Sequence, residues 1–136
     1  MIGAIHPTTD PVSKPYWEWL KEKDFRLQKC DGCGEFRFPP YENCPYCGGK
    51  GGEWLPLSGR GKVYSWFVGN VTPDPRYKED IPYIVVLVEL EDGPRIVSRL
   101  VNCSPDEVKG DMPVIGRYHE VDQDLTLLTF EPERIA

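Results

Sequence analysis

Cys30-Asp31-Gly32-Cys33-Gly34 and, ten residues further on, Cys44-Pro45-Tyr46-Cys47-Gly48 decide how this chain is read. Two residues between thiols let one tight turn bring both sulfurs to a single ion. A glycine after each second cysteine permits positive φ and lets backbone N–H groups turn toward the sulfurs. Two such knuckles facing each other form a closed cage of four thiolates, the donor set zinc takes in structural sites. The expectation is therefore one structural Zn²⁺ per chain on Cys30, Cys33, Cys44 and Cys47. Four thiolates fill the coordination sphere, so the ion keeps no open position for water or substrate, and neither His6 nor His119 lies near the pairs in sequence.

Working outward, Phe25 to Lys29 leads into the first pair as a strand, and Phe36-Arg37-Phe38-Pro39-Pro40 is a short extended piece whose prolines exclude helix. Glu53 to Leu57 resumes the chain after a glycine-rich break. Upstream, Ser13 to Asp24 reads as a helix, with Ser13 as cap, Pro15 in the first turn, and Tyr16, Trp19 and Leu20 recurring at i, i+3, i+4, widened by Trp17. Those four side chains either pack on the chain's own body or dock a partner, since Trp and Tyr dominate interface anchors. Residues 1 to about 13 show no apolar periodicity and read as an irregular leader.

Downstream, Gly61–Val71, Ile81–Leu90, Arg95–Val101, Val114–Val121 and Leu125–Phe130 are strand-like, with Asp92-Gly93 and Asp122-Gln123-Asp124 as hairpin turns. Ser104-Pro105-Asp106-Glu107 is a capping box for a short helical link between the third and fourth of them. Five strands with such a link predict an OB-type Greek-key barrel. Val85-Val86 and Val88 predict a strand covered on both faces. The fold class is mainly β, divided into a leader and aromatic helix (1–24), a zinc ribbon (25–57) and a five-stranded OB-fold (58–136).

Composition narrows the function. The 136 residues are 40% hydrophobic and 28% charged, with 16 Lys+Arg against 22 Asp+Glu, a net charge of −6. Four thiolates with Zn²⁺ would take that to roughly −8, which disfavours gripping a phosphate backbone. The longest apolar run, Ile84 to Val88, is too short to cross a bilayer, and the N-terminus lacks a basic segment followed by an apolar core. A reducing, cytoplasmic location is expected, which makes disulfides a poor reading of the cysteines. Cys103 reads as a small buried hydrophobe.

Pro15-Tyr16-Trp17-Glu18-Trp19-Leu20, Leu27-Gln28-Lys29-Cys30, Phe38-Pro39-Pro40, Cys44-Pro45-Tyr46-Cys47-Gly48 and Gly59-Arg60-Gly61-Lys62-Val63-Tyr64-Ser65, in that order, resemble the DUF35 family. The resemblance runs from about Pro15 to Pro132. One departure, Gly110-Asp111-Met112-Pro113-Val114, leaves the register of the last two strands open. The resemblance implies a rubredoxin-like zinc ribbon joined to an acyl-CoA-associated OB-fold. It also implies a small non-catalytic subunit of a thiolase-like enzyme, or of a hydratase or aldolase acting on acyl-CoA, with the catalytic residues on the partner.

Candidate CoA contacts are Arg60 and Lys62, which flank glycines, and Arg95 and Arg99 along one strand. The proline-bearing loop Thr72 to Lys78 is a candidate substrate entrance or subunit contact. Two other readings stand beside this one. A nucleic-acid module would stack bases on Tyr64 and Trp66, against the acidic balance. An electron carrier would hold iron at the cysteines, since Cys-Pro-x-Cys-Gly also occurs in rubredoxins, although only the second knuckle carries that proline.

Overall fold

A computed structural model describes residues 1–134, and its first regular element is the expected helix, α1, over Lys14–Lys21. Pro15 stands in the first turn, where a missing N–H loses no partner. Ser13 does not cap it as expected. Its hydroxyl accepts from the Asp10 N–H (3.2 Å), while Asp10 Oδ1 accepts from the Ser13 N–H (2.7 Å). The Asp10 carbonyl accepts from the Lys14 N–H. Asp10 therefore closes the turn that launches the helix.

The ribbon follows as a three-stranded antiparallel sheet: β1 (Arg26–Cys30), β2 (Phe36–Arg37) and β3 (Gly52–Pro56), in the order β2-β1-β3. The central strand β1 sets Gln28 opposite Arg37 on one side and Trp54 on the other. Leu27, near its start, is fully buried.

The rest of the chain closes a five-stranded barrel, β4 (Arg60–Gly69), β5 (Tyr83–Leu90), β6 (Arg95–Leu100), β7 (Pro113–Glu120) and β8 (Thr126–Pro132), in the order β4-β5-β6-β8-β7, with β7 returning to β4. Among the described residues only β6 and β8 run parallel, meeting at Leu100 and Phe130. The link between β6 and β7 carries the expected capping box. Ser104 Oγ accepts from the Asp106 N–H, and Glu107 Oε1 accepts from the Ser104 N–H, around a single 3₁₀ turn at Pro105–Glu107. Asp122 Oδ1 accepts from the N–H groups of Asp124 and Leu125 and so shapes the β7–β8 turn. The register of this hairpin, left open by the sequence, pairs Val114 with Pro132 and Glu120 with Thr126.

β5 is not covered on both faces. Ile84, Val86, Val88 and Leu90 are buried, while Tyr83, Val85, Leu87 and Glu89 between them are only partly covered. A barrel has one interior, and the valine run serves it with alternate residues only. On the outside, Tyr64, Phe67 and Val97 are exposed, Phe67 and Val97 by more than half. Register brings them together, for Val85 pairs with Phe67 and with Arg99, and Leu87 with Ser65 and Val97.

Barrel, ribbon and helix share one core. Phe130, Val63, Val86 and Val114 are fully buried in the barrel, and Tyr16, Leu20, Phe25 and Leu27 belong to the same cluster. The seam is tied by the Phe25 N–H donating to the Tyr118 hydroxyl (2.8 Å) and by Lys23 with Glu120 (2.7 Å). The leader is irregular, as expected, but it is also fastened. The Met1 amine meets Asp80 (3.3 Å), the Ile5 N–H donates to the Tyr77 hydroxyl (3.0 Å), and His6 Nε2 lies 2.8 Å from Asp122 Oδ2. The first two of these contacts fall on the 3₁₀ turn over Pro75–Asp80, which begins inside the Thr72–Lys78 loop and is capped by Asp74 accepting from the Arg76 N–H. No helix among the described residues is long and apolar enough to cross a membrane.

Candidate metal centre

Cys30 ends β1 and Cys33 follows in its turn, while Cys44 and Cys47 occupy the equivalent turn of the second knuckle. All four sulfurs lie within 4.8 Å of one another, and the Cys30–Cys47 and Cys33–Cys44 pairs stand 3.6 Å apart. A tetrahedral ZnS₄ centre with Zn–S near 2.3 Å has edges of about 3.8 Å, so the cage fits the ion. Both S–S pairs are far too long for disulfides, and all five cysteines are free.

The two knuckles copy each other. Gly34 (φ +79°) and Gly48 (φ +75°) both take the left-handed conformation expected of them. Their N–H groups do not face the sulfurs, however. Each donates to the carbonyl of its first cysteine, Cys30 (3.0 Å) and Cys44 (2.8 Å), and so closes the turn. The sulfurs instead receive the N–H groups of Gly32, Tyr46 and Gly49 at 3.3 to 3.4 Å. The glycines shape the loop, and other residues supply the N–H···S bonds that lower thiolate basicity.

Electrostatics favour ionised sulfur at the inner ligand. A backbone N–H at Cys33 and the Arg37 guanidinium bring the Cys30 thiol down to about 6. Cys33 moves the other way: a backbone N–H at Glu35 pulls it down, but partial desolvation and the sulfurs of Cys44, Cys47 and Cys30 outweigh it and push it up to about 12. A dication supplies the positive charge that four adjacent thiolates need. Cys30 and Cys44 are buried and Cys33 and Cys47 face solvent, so the site sits at the rim of the ribbon.

The remaining predicted residues separate. Arg60 pairs with Glu133 (3.2 Å) and Lys62 with Asp111 (3.7 Å). Both lie on β4, where Gly61 is locked opposite Leu90 and Val114, rather than on a free loop. Arg95 lies 3.8 Å over the Tyr64 ring, and Arg99 4.8 Å over Tyr83 with Asp80 at 3.7 Å. These two share the outer barrel face with Phe67 and Val97. Tyr16 and Leu20 are buried within the chain, whereas Trp17 and Trp19 are partly exposed and Trp19 carries Arg26 at 4.4 Å. Cys103 is partly exposed rather than buried, and its thiol is raised, chiefly by desolvation.

Sequence reasoning missed Arg37, which is 1% exposed and bonds to Gln28 Oε1 and to the carbonyls of Tyr41 and Gly51, at the two ends of the second knuckle. It also missed the outer barrel face, whose residues come from three strands and meet only through register. The two-residue strand that carries Arg37 is too short for alternation to reveal its burial.

Known proteins agree with this architecture. The family described as ChsH2, rubredoxin-like zinc ribbon domain, matches residues 17–51, and ChsH2, C-terminal OB-fold domain, matches residues 54–118. A probable enoyl-CoA hydratase alpha subunit of Thermomonospora curvata is 38% identical over 117 residues, covering 86% of this chain and 36% of that protein. This chain thus spans about a third of that relative's length. A benzoylsuccinyl-CoA thiolase subunit of Thauera aromatica is 38% identical over 72 residues, 53% of this chain and 48% of that one. Among solved structures, an Ltp2-ChsH2(DUF35) aldolase superposes with a TM-score of 0.83 at 35% identity, covering 93% of this chain and 98% of that one. A DUF35 domain-containing scaffold protein of Methanocaldococcus jannaschii is 36% identical over 125 residues, and the match takes in 90% of this chain and 88% of that protein. With ribbon, barrel and their order all shared along nearly the full length of such a relative, this chain belongs to the DUF35 family.

Proposed function

We propose that this chain is the small, non-catalytic, zinc-braced subunit of an acyl-CoA enzyme, thiolase-type in the first instance, and that it is needed to assemble the catalytic complex in the cytoplasm. The observation that carries the reading is the metal site. Its four cysteines would fill one ion's coordination sphere and leave it no open position, which supports a ribbon that braces the fold and a reaction carried by another polypeptide. Relatives named as a hydratase alpha subunit, a thiolase subunit and an aldolase component support an acyl-CoA enzyme as partner. The hydratase and aldolase names make those two classes the second reading.

The docking surface in this proposal is the outer face of β4, β5 and β6. Exposed Tyr64, Phe67 and Val97, flanked by Arg95 and Arg99, have the aromatic and arginine composition of interface centres. Acyl-CoA at the shared boundary would meet Arg95 and Arg99 on this face, with Arg60 and Lys62 at the start of β4. Trp17, which lines the same groove as Val97 and Arg99, extends the contact from the helix, and Trp19 on the helix's other side is a separate candidate anchor. Nucleic acid fits the same face less well, because Arg95 already covers Tyr64 and the chain is acidic.

Co-expression with a thiolase-type catalytic subunit, and in parallel with a hydratase and an aldolase subunit, tests the proposal. A stable heteromer with turnover that neither chain shows alone is the expected result, and two chains that elute separately with unchanged activities would overturn it. Within that complex, Phe67→Asp is expected to weaken association by about tenfold or more while the free subunit melts at its usual temperature. Size-exclusion chromatography and thermal unfolding read the two effects separately.

A further inference from the structure

Arg37 is the largest fully buried side chain in the protein. It lies on β2 opposite Gln28, which stands two residues before the first ligand on β1. One guanidinium nitrogen, Nη1, donates to Gln28 Oε1 (3.3 Å) and to the Tyr41 carbonyl (3.4 Å), and the other, Nη2, donates to the Gly51 carbonyl. Tyr41 enters the second knuckle and Gly51 leaves it, and the next residue, Gly52, pairs with Cys30. One guanidinium thus holds both ends of the second knuckle against the strand that carries the first.

Those partners are neutral. Arg37 takes part in no ion pair among the described residues, and its Nε finds no acceptor at all. A guanidinium cannot shed its proton to escape burial, and a buried cation without a counter-charge costs several kcal/mol. None of the ribbon's carboxylates, Asp31, Glu35, Glu42 and Glu53, forms an ion pair with Arg37. Four thiolates around Zn²⁺, by contrast, would carry a net −2 between the segments it joins, Gln28 standing two residues before Cys30 and Gly51 next to Gly52, which pairs with Cys30.

We propose that Arg37 is the internal counter-ion of the tetrathiolate site, a positioning residue that sets how tightly the cysteines hold zinc through its charge as well as its hydrogen bonds. The assignment concerns the ribbon alone and stands whichever enzyme the subunit serves. The buried cation lowers the energy of the assembled, negatively charged centre relative to the open one. It also leaves the ribbon with one fewer uncompensated charge to bury. Gln28 and the two carbonyls fix where that cation sits.

Three variants separate charge from shape: Arg37→Lys keeps the charge and loses the fork, while Arg37→Gln and Arg37→Met lose the charge, glutamine retaining a donor for the Gly51 carbonyl. Zinc affinity is measured on the full chain by competition with a chromophoric chelator, and the thiolate-to-metal charge-transfer band is recorded after cobalt substitution. Both uncharged variants are expected to hold zinc about tenfold more weakly or worse. Their cobalt band moves to lower energy, because thiolates without a nearby cation give up electrons more readily. The lysine variant melts earlier than the parent but keeps most of the affinity and the parent band. Equal losses in lysine and glutamine variants, or a glutamine variant with parental affinity and band, would overturn the assignment. Should the uncharged variants fail to fold, the lysine variant decides: a parental band supports the charge role, and a shifted band at parental net charge refutes it.

Discussion

Cys47→Ser is expected to lose its zinc and unfold the ribbon, and Cys33→Ser to do the same, while Cys103→Ser changes neither metal content nor melting. The asymmetry follows from what each sulfur does. Cys33 and Cys47 face solvent, so neither contributes much packing, and a serine in their place is sterically mild. Each nevertheless supplies one of four bonds to an ion whose binding energy is also folding energy, about 10 kcal/mol or more in small zinc domains at neutral pH. The ribbon cannot replace that from its own core. Its sheet has one five-residue central strand, one strand of two residues, and Leu27 as its fully buried apolar side chain. Far-UV circular dichroism, metal content by elemental analysis and thermal unfolding, run together, check the outcome. Chelation at neutral pH should reproduce it in the unmodified protein. So should acid, because protons compete for all four thiolates, and zinc leaves as pH falls rather than as it rises. A Cys47→Ser protein that retains stoichiometric zinc and the parent melting curve would show that the cage does not brace the fold.

Much of this architecture is legible in the amino-acid sequence. The cysteine spacing implies the cage because two residues between thiols admit few turns, and the capping box at Ser104 to Glu107 is read from four consecutive residues. The five strands stand out because their Val, Ile, Tyr and Phe runs are long and cleanly punctuated. Features that escape such reading depend on partners distant in sequence or on competing local bonds. Asp10 displaces Ser13 at the helix start because the reciprocal hydrogen bonds between them form a turn of their own. The valines of β5 look fully enclosed, yet barrel closure gives that strand a single interior. The burial of Arg37 follows from three segments, at Gln28, Tyr41 and Gly51, converging on one side chain, which no local pattern encodes. The arginines proposed for CoA illustrate the same limit. Spacing suggests a flexible glycine turn for Arg60 and Lys62, and ladder pairing to two strands makes that segment rigid.

The aromatic helix poses the choice between core and partner most directly, and substitutions at two adjacent residues resolve it. Leu20 is fully buried where helix, ribbon and barrel meet, so Leu20→Ala is expected to destabilise the isolated chain by about 2–5 kcal/mol, the cost of an unfilled cavity in a packed interior. Trp19 lies partly in solvent, outside the buried cluster, with Arg26 stacked on its ring. A stacked cation of this kind contributes about 0.5–1 kcal/mol, so Trp19→Ala should shift the denaturation midpoint of the free chain only slightly. In the heteromer the order reverses. Trp19→Ala removes a large, rigid anchor from a surface proposed to be covered, and the expected loss of association is about tenfold or more. Leu20→Ala weakens association only as far as it depletes the folded subunit, which lower temperature or a stabilising osmolyte restores. Chemical denaturation of the free chain and titration of the catalytic subunit supply both measurements. Equal destabilisation by the two substitutions would make Trp19 a core residue and remove the helix from the proposed interface, leaving the outer barrel face to carry docking alone.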